Sequence, residues 1–87
     1  MTNYQYITIV ELKDCILICS SKKVAEPYLN QLKCMADCLK DRERIKVIDV
    51  YSMLSEYAKA KTFDKKELYL QHINNDIATL AGMVQNV

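Results

Sequence analysis

The feature that most constrains this chain is the recurrence of Val24, Tyr28, Leu32, Met35 and Leu39 at spacings of four and three. Ala25, Leu29 and Ala36 widen the recurrence into a stripe, the pattern of an amphipathic helix that needs a surface to cover its apolar side. Pro27 has no amide hydrogen and is tolerated only near a helix start, so the helix is expected to begin at about Lys23.

The segments around this helix read as strands. Tyr6 to Leu12 is rich in β-branched and aromatic residues, which suit a half-buried pleated surface. After the polar break at Lys13-Asp14, Cys15 to Cys19 is apolar on both parities, as a strand covered on two faces should be. The two segments form a β-hairpin in this reading, with a loop longer than Lys13-Asp14 because the Asn-Gly or Asp-Gly of tight turns is missing. Asp41 to Arg44 makes a solvated connection, and Ile45 to Val50 supplies a third strand, parallel to its neighbour through a right-handed crossover.

Ser52 is placed to cap a short helix through about Lys61, with Met53, Leu54, Tyr57 and Ala58 inward. Asp64 and Glu67 resemble a capping box for a longer helix, along which Leu70, Ile73, Ile77, Leu80 and Val84 repeat at alternating three and four. The expectation is a single domain over residues 1–87 with an α+β, α/β-like fold in the order β-β-α-β-α-α. It comprises a small mixed three-stranded sheet, an N-terminal hairpin plus one parallel crossover strand, packed with three helices.

Composition narrows the function classes. With 51% hydrophobic and 26% charged residues and a net charge of +1, the chain is neither disordered nor collagenous. A chain of this length buries about 60–65% of its unfolded surface. One glycine, Gly82, and two arginines, Arg42 and Arg44, exclude glycine-rich phosphate loops and arginine-fork recognition. The first five residues are polar, and the longest apolar run, Cys15 to Cys19, is far below a signal segment or the ~20 residues of a bilayer span. A cytoplasmic protein with reduced thiols and no membrane partner is expected.

The four cysteines fall into two C-x3-C pairs, Cys15 with Cys19 and Cys34 with Cys38, which raises a zinc site. On a strand, Cys15 and Cys19 stand roughly 13 Å apart, too far to share an ion bound at ~2.3 Å. No metal or other cofactor is expected, and the cysteines read as buried thiols. Cys19 ends a strand just before a helix, where a helix N-terminus favours a thiolate. In this position it is similar to the cysteine of phosphocysteine carriers and thioredoxin-like enzymes, and that resemblance implies a thiol or phosphocysteine enzyme at Cys19. The loop lacks the second cysteine of C-x-x-C, the arginine of C-x5-R and any glycine.

The single histidine, His72, is set beside Asp76 by helical spacing and away from the Leu70, Ile73, Ile77 stripe. Asp49, inside an apolar strand, should face solvent, a partner or a lysine. Lys59, Lys61, Lys65 and Lys66 cluster with Tyr57 and Phe63 nearby, a pattern that serves nucleic acid or an acidic partner but more commonly a solvated face.

Amphipathic surface is what this chain has in excess, and leftover apolar stripes and tyrosines mark interfaces. The leading expectation is a small non-enzymatic interaction or regulatory module, an adaptor or inhibitor, binding another protein or itself as a homodimer. Tyr57, Leu70, Ile73, Ile77, Leu80 and Val84 are its candidate contact residues. Enzymatic chemistry at Cys19 and nucleic-acid binding through Lys59, Lys61, Lys65 and Lys66 are the alternatives.

Overall fold

The computed structural model describes residues 1–85, and in them there is no strand. Four helices run in order: α1 (Asn3–Leu17), α2 (Lys22–Asp37), α3 (Asp41–Lys59) and α4 (Phe63–Ala81). The expected α+β fold and its three-stranded sheet are therefore replaced by a four-helix, bundle-like arrangement. Helix α3 is central, packing on α2 and α4, while α1 lies on α2 and also touches α3 and α4.

The expected hairpin is one helix. Thr2 caps α1 through a capping box, its hydroxyl accepting from the Gln5 amide while the Gln5 side chain accepts from the Thr2 amide. Ile9, Leu12 and Ile16 then share one buried side at helical spacing. β-branched residues cost a helix at most about 0.7 kcal/mol each, whereas burying an isoleucine stabilises by about 1.5–3 kcal/mol, so packing outweighs local preference.

The expected third strand, Ile45 to Val50, lies inside α3, which also absorbs the short helix assigned from Ser52. Val47, Val50 and Leu54 are fully buried on one side of it. Asp41 and Glu43 place negative charge in its first turn, where the helix dipole favours it, and no glycine or proline interrupts the segment. The chain enters α3 through Asp41 at a φ of 55°, a left-handed conformation that aspartate tolerates better than most residues.

The α2 helix agrees with its stripe, although it starts at Lys22 and includes Pro27 in its second turn. Ala25, Leu29, Leu32 and Ala36 are the buried positions, and Val24 faces outward, so the stripe is centred slightly off the expected line. Helix α4 is capped by Thr62, whose hydroxyl accepts from the Lys65 amide, and not by Asp64. Met1 joins the core at the far end, its amino group paired with Glu43 and its carbonyl accepting from the Gln85 amide.

Candidate functional site

Helices α3 and α4 run antiparallel. Lys46 meets Asp76 and Asp49 meets His72, so positions ascending along one helix meet positions descending along the other. Two helical spacings build the site: Lys46 and Asp49 at i, i+3 on α3, and His72 and Asp76 at i, i+4 on α4. His72 Nε2 lies 2.6 Å from Asp49 Oδ2 and 3.5 Å from Asp76 Oδ2, and Lys46 Nζ donates to Asp76 Oδ1 at 3.3 Å. The cluster opens into a surface cavity of about 620 Å³, with Ile45 and Ile48 on its apolar rim and Ser52 and Asn75 completing it.

The two carboxylates differ sharply in burial. Asp76 is 4% exposed, the one charged residue in the buried core, and its Oδ2 has no hydrogen-bond partner among the described residues. Burial pushes the Asp76 carboxyl up to about 6; the neighbouring Asp49 carboxylate and its negative charge add to the rise, and Lys46 opposes it. Asp49 is held below the ordinary carboxylate range chiefly by the adjacent Asp76 carboxyl, which takes the proton in its place. Partial burial works against this, while the hydrogen bond and charge of His72 and the charge of Lys46 reinforce it. The two acids are pushed apart, so that Asp76 takes up a proton before Asp49 as pH falls.

The chemistry open to this arrangement is polar recognition or cation binding. A histidine–aspartate pair is one half of a nucleophilic relay, but His72 Nε2 is turned to Asp49 and not to the Ser52 hydroxyl. Cys19 stands elsewhere, past the C-terminal end of α1, with its thiol donating to the Cys15 carbonyl oxygen. The strand-to-helix junction that suggested thiol chemistry is absent.

The other sequence candidates are dispersed by the fold. Ile73 and Leu80 are fully buried, Ile77 and Val84 pack half-buried against the core, and Leu70 is half-buried, so the α4 stripe serves largely as the bundle's own interior. Tyr57 is half-buried with the Lys66 ammonium over its ring at 4.8 Å. Lys59, Lys61 and Lys65 do converge, around a cavity of about 280 Å³ at the start of α4, where Lys59 also pairs with Glu56.

Sequence reasoning missed the apolar rim. Ile45 and Ile48 are 69% and 42% exposed, and Leu68, one turn before His72, is 67% exposed. Their i, i+3 and i, i+4 spacings are visible in the sequence once residues 45–50 are placed on a helix. Comparisons with family models, with curated proteins and with solved structures return no match for this chain. No described helix is long and apolar enough to cross a membrane.

Proposed function

We propose that this protein is a small cytosolic interaction module that docks a partner protein or a second copy of itself on the α3–α4 face. One observation carries this reading: Ile45 and Ile48 stand side by side, exposed, on the rim of the cavity that holds Asp49, His72 and Asp76. Apolar anchors beside polar groups that fix orientation are what protein interfaces combine. Leu68 extends the apolar rim along α4. The four cysteines, all free thiols, suit a reducing compartment.

The test is site-specific photocrosslinking in cells of the source organism, with the photoreactive residue at Ile45 or Ile48 and, as control, at exposed Gln31 on α2. A discrete adduct at Ile45 and Ile48, absent at Gln31, is the expected result, and its mass separates a second copy from another protein. Adducts no stronger than those at Gln31 would contradict the reading.

A nucleic-acid reading rests on a different observation, the convergence of Lys59, Lys61 and Lys65 at the α4 N-terminus. It requires binding that weakens steeply with salt and is lost in a Lys61→Glu/Lys65→Glu variant. Binding that ignores both changes would remove it.

A further inference from the structure

We propose that Asp49, His72 and Asp76 bind a divalent transition-metal ion in the groove between α3 and α4. Each residue offers one ligand atom, and the three atoms lie within 4.8 Å of one another. The second, independent observation is Asp76 Oδ2, which belongs to a side chain only 6% exposed, faces His72 Nε2 and has no hydrogen-bond partner among the described residues. Leaving a buried carboxylate oxygen unmatched is costly, and a cation at that position would match it.

The spacing suits a small ion. Bonds of about 2.0–2.2 Å from zinc to nitrogen and oxygen put neighbouring tetrahedral ligands roughly 3.3 Å apart. His72 Nε2 and Asp76 Oδ2 are 3.5 Å apart, close to that separation without any movement. The Asp49–His72 contact of 2.6 Å has to open slightly, which the 37% exposed Asp49 side chain is free to do.

Charge and orientation point the same way. Two carboxylates balance a dication, and a neutral imidazole with mixed oxygen donors is a set that zinc and its first-row neighbours accept and that magnesium, which prefers all-oxygen shells, does not. Lys46 donates to Asp76 Oδ1, the other oxygen of that carboxylate, and so fixes the group with Oδ2 aimed at the site. Its ammonium charge reduces cation affinity, an effect that its partial exposure to solvent moderates. The protein supplies three ligands from one side, which leaves a coordination position toward the open cavity.

The test is calorimetric titration of reduced, chelator-treated protein with Zn²⁺, paired with NMR of the His72 ring. Wild type should bind one equivalent, with the His72 resonances moving to completion at that point. His72→Ala, at a half-exposed position, and Asp76→Asn should each weaken binding by at least about tenfold. A Cys34→Ser/Cys38→Ser variant should bind like wild type, and excess Mg²⁺ should not displace the zinc. Absence of Zn²⁺ binding, binding unchanged in His72→Ala, or binding lost with the cysteines would overturn the proposal. Asp76 would then be a buried carboxyl satisfied by the proton it takes up before Asp49.

Discussion

Val47 and Val50, on the inner side of α3, are fully buried, while Ile45 and Ile48, each two residues away, stand 69% and 42% exposed. The residue types are nearly equivalent, so hydrophobicity does not explain the difference. Position in the helical period does. On a strand, Ile45, Val47 and Asp49 would share one face and Lys46, Ile48 and Val50 the other. On a helix, Val47, Val50 and Leu54 gather inward, Ile45 and Ile48 turn outward, and Lys46 and Asp49 fall on the seam with α4. The functional candidates lie on that seam because it is the boundary between the two environments.

The largest effect that would sharpen this contrast is at the inner side. Leu54→Ala should lower stability by about 2–5 kcal/mol, because the fully buried side chain leaves a cavity the neighbouring helices fill only partly. Urea unfolding midpoints measure it, and a loss near zero would mean the inner side is not packed as described.

On the seam, the expected effect depends on pH. The Asp76 carboxyl titrates near 6 when folded, above its ordinary value of 3.8, so between these values the folded chain binds more protons than the unfolded one. Stability from this group is complete below about pH 4 and declines as pH rises through 6. Asp76→Asn, which cannot ionise, should therefore gain on wild type as pH is raised from 4.5 to 7.5. Unfolding midpoints at those two pH values provide the comparison, and a variant that loses ground to wild type, or keeps pace with it, would contradict the buried, high-affinity proton site.

On the outer side the effect is smallest and its sign is informative. Ile48→Ala should be neutral or stabilise by up to about 0.5 kcal/mol, since alanine is the better helix former and little burial is lost at 42% exposure. The same substitution in a pleated sheet would destabilise. A loss that appears only at high protein concentration would instead show that Ile48 is covered by a second copy, in line with the proposed docking face.

Half of the helical framework was legible. The α2 stripe and the apolar repeat of α4 both mark helices, and the i, i+4 spacing of His72 and Asp76 placed those side chains together. The Thr2–Gln5 capping box that starts α1 was not read, and the segment was assigned to a strand on the β-branched density of Tyr6 to Val10. That density reports a preference of tenths of a kcal/mol, which tertiary burial of Ile9 and Ile16 reverses. Because Ile45 to Val50 was assigned to a strand, the pairing of Asp49 with His72 was invisible, as it depends on the antiparallel contact of α3 with α4. Attention to metal therefore went to the cysteines. Cys34 and Cys38 are exposed, and among the described residues the ligand atoms that come together are those of two aspartates and the histidine.

The account rests on residues 45–50 being helical, since only that places Asp49 against His72 and Asp76. Backbone NMR across Ile45 to Val50 tests this most directly. Helical Cα shifts with strong sequential amide–amide contacts, and a contact between the His72 ring and the Asp49 side chain, are the predicted result. Extended-chain shifts with cross-strand contacts from residues 45–50 to residues 6–12 would contradict it.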